Sequence, residues 1–266
     1  MITLAAANAK GGTGKTTLAV HLAVGLARKG HRVVLVDLDP QGNATTWLLG
    51  QLGPGTTGIA DAILRDGTII PADLHTVPSE ANLNVLPATA TLSTVDFKLG
   101  TEVAGERALS EALAPLADRF DYAIVDCPPS MGMTVLAGLC AANAVLAPVL
   151  PAFFSLTGLR RLEETVARIR ARLGAATRVL GYVLFAADPR EAITAETRAL
   201  LTSEAKEKLF NAEIRVSTAA KALPARRLTA WDPGADTRGA DDYEQILTEV
   251  LRRLDPPASR RGSAAA

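Results

Sequence analysis

The stretch Lys10-Gly11-Gly12-Thr13-Gly14-Lys15-Thr16-Thr17 decides the fold of this chain. An apolar run at 2–7 comes before it and predicts a buried strand, and a helical pattern of leucine and valine comes after it. Glycine allows successive backbone N–H groups to turn towards phosphate oxygens, and the start of the next helix adds unpaired N–H groups. The stretch therefore predicts a phosphate-binding loop between a strand and a helix.

Each residue type in the loop has an expected task. The Lys15 side chain is expected to neutralise the β- and γ-phosphates of a nucleotide, and the Thr16 hydroxyl to bind Mg²⁺. Ala9 stands where the usual phosphate-loop pattern has its first glycine. The predicted contacts to ATP come from every residue of the stretch: Lys10, Gly11, Gly12, Thr13, Gly14, Lys15, Thr16 and Thr17.

Strand and helix patterns alternate along the chain. Apolar runs that predict strands lie at 2–7, 32–37, 83–86, 122–126, 144–149 and 179–185. Helical patterns lie near 15–29, 106–118, 132–142, 156–173, 192–209 and 239–254. This alternation predicts an α/β fold with a mainly parallel sheet covered by helices on both faces, in which ligands bind at the carboxyl ends of the strands. We expect one domain over 1–254 and a disordered tail over 255–266, which is rich in Pro, Ser, Arg and Ala.

Composition and charge limit the class of protein. The 266 residues carry no net charge, but 19 Lys/Arg against 15 Asp/Glu fall in 151–266, so a surface for a polyanion is expected there. The two cysteines, Cys127 and Cys140, lie in apolar segments, which is typical of buried thiols in a reducing cytosol. No signal peptide or long apolar span is recognisable, and we expect a cytoplasmic protein.

Two predicted strands end in acidic residues. Asp37 and Asp39 follow the strand at 32–37, and Asp126 ends the strand at 122–126 and leads into Cys127-Pro128-Pro129-Ser130. Acids at the end of a buried strand are costly unless a cation is near, and Mg²⁺ meets that need. We therefore predict that Thr16, Asp39 and Asp126 hold Mg²⁺, with Asp126 also counted among the contacts to the nucleotide.

The loop and the acidic segments together resemble the ParA/MinD family of ATPases. The resemblance rests on Lys10 directly after Ala9, which marks the deviant Walker motif, on Asp37-Leu38-Asp39-Pro40-Gln41-Gly42-Asn43, and on the Asp126 segment. It is strong over 1–50 and 120–162, and looser near 179–190 and 214–254. Ala137 departs from the family, where asparagine is frequent.

The resemblance implies roles for three catalytic residues. Lys15 supplies charge within its own site, and Lys10 reaches across a sandwich dimer to the ATP of the partner subunit. Asp39 positions or activates the attacking water, while Asp37 supports the loop. ATP would then be part of the dimer interface, and its hydrolysis would loosen the dimer.

The second half contains the predicted DNA contacts. Residues 214–227 carry four basic side chains and no acidic one: Arg215, Lys221, Arg226 and Arg227. In ParA relatives this segment closes over adenine and continues onto a DNA-binding face, so the resemblance implies salt-sensitive, sequence-independent binding to double-stranded DNA. The alternative is an ordinary solvated helix face, as is also possible for the arginine-rich helix at 156–173.

The functional hypothesis is a ParA-type partition ATPase. It would dimerise with ATP, associate with the nucleoid, and hydrolyse ATP when a ParB-like protein stimulates it, so that a chromosome or plasmid is segregated. A MinD-like ATPase on a membrane is less favoured, because residues 256–261 do not form an amphipathic helix pattern. A positioning ATPase for another cargo stays open. An electron carrier similar to nitrogenase reductase would need two cluster cysteines at a symmetric interface, which Cys127 and Cys140 do not favour.

Overall fold

The computed structural model describes residues 1–152, 155–235 and 237–254. Within them, one sheet of eight strands runs through the molecule in the order β3-β4-β2-β5-β1-β6-β7-β8. Neighbouring strands are parallel except for the antiparallel pair β3 and β4. The strands are β1 (Ile2–Ala6), β2 (Val33–Asp37), β3 (His75–Val77), β4 (Glu80–Leu86), β5 (Tyr122–Asp126), β6 (Ala144–Val149), β7 (Arg178–Ala187) and β8 (Ile214–Arg215).

The helices cover both faces of this sheet. They are α1 (Lys15–Arg28), α2 (Asn43–Leu49), α3 (Ile59–Leu64), α4 (Leu92–Thr101), α5 (Ala108–Leu113), α6 (Met133–Ala141), α7 (Ser155–Leu173), α8 (Ala192–Ala205), α9 (Leu223–Arg226) and α10 (Thr237–Leu254). Helices α1, α2, α9 and α10 pack on one face, and α3 to α8 pack on the other.

The alternation of side chains along the central strands explains why both faces are apolar. In β2, Val33 and Leu35 pack under α1, whereas Val34 and Val36 pack in the cluster on the opposite face. Both sets are fully buried, as expected for a parallel strand covered by helices on each side. The predicted fold class is confirmed. Among the described residues, no helix is both long and apolar enough to cross a membrane.

The structure departs from the predicted elements in a few places. Strands β3 and β8 and helices α2, α3, α4 and α9 were not predicted, and the helix expected at 106–118 is wrong as one element. There, α5 spans only six residues between two short 3₁₀ turns, because Pro115 cannot donate the backbone hydrogen bond that would continue the helix. The predicted tail at 255–266 lies outside the described residues.

Candidate functional site

The glycine-rich loop joins β1 to α1 at the carboxyl end of the sheet. Gly12 and Gly14 have φ of 71° and 92°, values that side chains other than glycine rarely adopt. Gly14 also lies against the ring of Phe185, and a Cβ at position 14 would stand 2.5 Å from that ring. No acidic residue occupies the first turn of α1. The loop therefore ends in a helix N-terminus that attracts anions.

The side chain of Lys15 is hydrogen-bonded to the backbone of Lys10. Lys15 is buried, and its Nζ donates a 3.1 Å hydrogen bond to the carbonyl of Lys10, which also accepts from Thr13 Oγ1 at 3.3 Å. Burial lowers the pKa of Lys15, while the negative charges of Asp126 and Asp39 act in the opposite direction. The Lys10 side chain is exposed. One lysine therefore points into the loop and the other lies at its outer edge.

The two acidic strand ends lie side by side. Strands β2 and β5 are neighbours, and their register places Asp37 opposite Asp126. Asp37 accepts hydrogen bonds from the Asp39 backbone N–H at 3.1 Å and from the Thr45 backbone N–H and hydroxyl at 2.8 and 2.7 Å. Burial raises the pKa of Asp37 to about 6, although these bonds oppose the shift. The contacts match the supporting role expected for Asp37.

Asp126 is the member of the pair that lacks partners. Both carboxylate oxygens are buried and neither accepts a hydrogen bond of good geometry among the described residues, although the Thr16 hydroxyl lies near enough to lower the pKa of Asp126. Burial raises the pKa of Asp126 well above its usual range, and the neighbouring charge of Asp37 adds to the effect. A buried carboxylate without partners is costly. The donor chemistry therefore fits a bound cation, which would supply the missing contacts.

Asp39 completes the acidic group. It is 8% exposed, and its Oδ1 accepts a 3.0 Å hydrogen bond from the backbone N–H of Gln41. Its charge influences the pKa of both Lys15 and Asp126, so the three groups share one electrostatic site. Among the described residues, no cluster of three His, Cys, Asp or Glu could hold a metal ion. Mg²⁺ usually binds one or two protein oxygens together with phosphates and water, and Asp39 and Asp126 offer such oxygens.

A largely apolar cavity of about 320 Å³ opens beside the start of α1. Thr17, Phe185, Val216 and Tyr243 are among the residues that line it, and Lys221 stands at its wall. Its place next to Thr17 makes it continuous with the end of the phosphate loop. The structure thus brings part of the 214–227 segment, which the resemblance linked to adenine, next to the loop.

The four predicted DNA contacts do not form one uniform patch. Arg215 is paired with the buried carboxylate of Asp242 in α10, with Nη2 to Oδ1 at 2.6 Å. The Arg227 guanidinium lies against α2, with Nη2 at 3.4 Å from the carbonyl of Leu48. All four residues are exposed. The 214–227 segment contains no acidic residue, but in the folded protein Asp242 of α10 lies against it.

Several residues of the site were missed by the sequence reasoning. Asn8 connects the loop to β6, because its Nδ2 donates to the Pro148 carbonyl at 2.8 Å and its Oδ1 accepts from the Lys10 N–H at 3.0 Å. Phe185 and Thr45 support the loop and Asp37 respectively. The one available signal was the position of Asn8 directly after the first strand.

The two cysteines differ in burial. Cys127 is buried beside Asp126, and burial raises the pKa of its thiol. Cys140 is only partly buried and lies in α6. A thiol enclosed in the core cannot be a ligand shared between two subunits at a surface.

Comparison with known proteins finds one matching family model, several relatives of nearly full length and similar solved structures. Residues 1–179 match the model of the AAA domain family. The chain is 36% identical over 251 residues to the chromosome-partitioning ATPase Soj of Treponema pallidum, covering 94% of this chain and 97% of that protein. It is 32% identical over 253 residues to the chromosome partitioning protein ParA of Caulobacter vibrioides, covering 94% of each. Its structure matches cobyrinic acid a,c-diamide synthase from Mycobacterium smegmatis with a bound ATP analogue and magnesium, at 27% identity, a TM-score of 0.81 and 96% coverage of each chain.

Proposed function

The chain belongs to the ParA/MinD family as a ParA-type partition ATPase, and from this premise we propose that it dimerises with Mg·ATP and binds DNA without sequence preference. A ParB-like partner stimulates hydrolysis in this proposal, and the protein works in the cytoplasm on the nucleoid. The observation that carries the proposal is Asp126, a buried carboxylate without partners that lies beside the lysine of a phosphate loop.

In the proposed complex, the loop and its helix hold the nucleotide. Backbone N–H groups of 11–17 face the phosphates, and Lys15 neutralises their charge. Thr16, Asp39 and Asp126 are the residues that would hold Mg²⁺, which draws charge from the phosphate oxygens. The apolar cavity beside Thr17 has room for the base.

Hydrolysis depends on residues that act on different groups. We assign Asp39 to the attacking water, because it lies close to Lys15 and Asp126 but has one oxygen held by Gln41. We assign Lys10 to the triphosphate of the partner subunit, because its side chain is exposed at the outer edge of the loop. An added cation at a transferring phosphoryl group can raise the rate by several orders of magnitude.

DNA binding is assigned to the four exposed basic residues of 214–227, of which Arg215 also pairs with Asp242 and Arg227 also contacts the Leu48 carbonyl. Because dimerisation doubles the number of cations facing one duplex, the salt-sensitive phosphate contribution rises steeply and DNA affinity follows the ATP state.

The test is size-exclusion chromatography with light scattering, together with DNA binding, in Mg·ATP, in Mg·ADP and without nucleotide. We expect a dimer that binds unrelated duplexes equally well, in ATP alone. A monomer in all three conditions, or DNA binding that ignores the nucleotide, would remove this function.

A further inference from the structure

Helix α7 begins against the phosphate loop. Gly158 lies so close to Asn8 that a Cβ at position 158 would stand 3.2 Å from Asn8 Oδ1. The same oxygen accepts the hydrogen bond from the Lys10 N–H. The position of Lys10 is therefore fixed relative to the first turns of α7.

Arg161 follows Gly158 by three residues and so projects from the same side of α7. Lys10, Thr13 and Arg161 line a cleft of about 190 Å³, and none of the described residues that line it is acidic. Two cations are thus held at one small cleft on the outer edge of the loop. Two like charges at one cleft favour the entry of an anion.

Arg161 differs from Arg160 and Arg168 of α7 in its contacts. Arg160 is paired with Glu204 at 2.7 Å, and Arg168 Nη2 lies 3.5 Å from Thr165 Oγ1. The Arg161 guanidinium is exposed, and within the described part of the chain it forms neither an ion pair nor a hydrogen bond. Its side chain is therefore available to a second molecule.

The chemistry of the cleft favours phosphate oxygens. A guanidinium offers a planar fork of donors that binds two oxygens at once, and the Lys10 ammonium adds a point charge. The carbonyl of Lys10 is already used by Lys15 and Thr13 inside the loop. The Lys15 ammonium thus bonds inside the loop, whereas Lys10 and Arg161 line the cleft outside these contacts.

We propose that Arg161 acts together with Lys10 as a second cation on the triphosphate held by the other subunit of the dimer. This inference rests on the proposed function, since it requires the ATP-dependent dimer. Arg161 would then stabilise the dimer and the charge that develops during hydrolysis, without contributing to the nucleotide site of its own subunit.

The first experiment compares Arg161→Ala and Arg161→Lys with Arg172→Ala, which removes an exposed arginine from the last turn of the same helix. Sedimentation in Mg·ATP measures dimerisation, and calorimetry measures Mg·ADP binding to the monomer. We expect at least tenfold weaker dimerisation and slower turnover for Arg161→Ala, partial recovery for Arg161→Lys, and unchanged ADP affinity and melting temperature. Wild-type dimerisation and turnover in Arg161→Ala would overturn the proposal, and so would a loss of ADP affinity.

A second experiment mixes Arg161→Ala with Asp39→Ala. In the mixed dimer, one site combines an intact Asp39 with the intact Arg161 of the other subunit. We expect turnover above that of either variant alone. No recovery would mean that Arg161 acts within its own subunit. If wild type and Arg172→Ala also fail to dimerise in ATP, the proposed function itself is wrong; if they dimerise and only the Arg161 results disagree, this inference alone is wrong.

Discussion

The indole Nε1 of Trp47 donates a 2.9 Å hydrogen bond to the backbone carbonyl of Leu228. Trp47 lies in α2, the helix that begins directly after the Asp39 segment, and Leu228 directly follows Arg226 and Arg227. Arg227 adds a second contact, to the carbonyl of Leu48 at the end of the same helix. The acidic segment and the basic segment are therefore connected through one short helix.

This connection predicts that Trp47→Phe weakens the link between ATP and DNA binding. Phenylalanine keeps most of the packing but leaves the Leu228 carbonyl without its donor, at a cost of about 1 to 3 kcal/mol. We expect ATP affinity close to that of wild type and a several-fold smaller gain in DNA affinity on adding ATP. Trp231→Phe is the matched control, since it alters the second tryptophan of the chain. If ATP raises the DNA affinity of Trp47→Phe as much as that of wild type, the acidic and basic segments are not coupled through this hydrogen bond.

Lys15→Ala tests nucleotide binding. The substitution removes the cation inside the loop, whose ammonium lies near Asp126 and Asp39. We expect Mg·ATP affinity, measured by calorimetry, to fall at least a hundredfold, while the exposed-lysine control Lys206→Ala keeps the wild-type value. Equal affinity in both variants would place the triphosphate elsewhere.

Asp39→Ala separates binding from hydrolysis. Asp39 is assigned to the water and not to the phosphates, so its loss should slow turnover at least tenfold while ATP still binds. The variant should accumulate as an ATP-bound dimer in light scattering. Turnover at the wild-type rate would move the catalytic role to another residue.

Charge reversal at Arg226 and Arg227 tests the DNA surface. We expect Arg226→Glu together with Arg227→Glu to weaken binding to unrelated duplexes by the same factor and to reduce the dependence of log affinity on log salt. Dimerisation should persist. Arg172→Glu on α7 is the control for net charge. Arg215→Glu is expected to lower the melting temperature as well, because it leaves the buried Asp242 unpaired and adds a like charge.

His21 predicts a pH dependence of stability. It is buried, its Nδ1 lies 2.7 Å from the Thr17 carbonyl, and its Nε2 accepts the Ala230 N–H at 3.1 Å. Burial lowers its pKa from 6.5 to about 4. The unfolded chain therefore binds more protons between these values, so this contribution is complete above about pH 6.5 and is lost as the pH falls to about 4.

The expected loss is about 3 kcal/mol of unfolding free energy. Urea unfolding of wild type and His21→Gln at several pH values measures it, because the difference between the two curves isolates this residue. A difference that stays constant from pH 7 to pH 4 would show that His21 does not titrate in this way.

The parts of the site that could be predicted are those whose signals are local. The phosphate loop and the acids at 37, 39 and 126 each follow an apolar run, and the pattern of such runs places them at one edge of a sheet. The ion pair of Arg215 could not be predicted from such local signals. Its partner Asp242 lies 27 residues away, so only the packing of α10 against β8 brings the two together.

The same limit applies to the unpredicted elements. Strand β8 contains two residues, which is too short for any periodic pattern, and α2 contains seven. Their existence depends on tertiary contacts such as Trp47 with Leu228, which stabilise a short helix that would be marginal alone. Phe185 contacts Gly14 for a related reason, because strand order in the sheet and not sequence distance makes them neighbours.

The register between β2 and β5 ties the lengths of the two strands together. Both contain five residues, and they pair from Val33 with Tyr122 to Asp37 with Asp126. One residue inserted into either strand would reverse the faces of every side chain beyond it and draw a carboxylate into an apolar layer. The side-by-side position of the Asp37 and Asp126 carboxylates therefore depends on the equal length of β2 and β5.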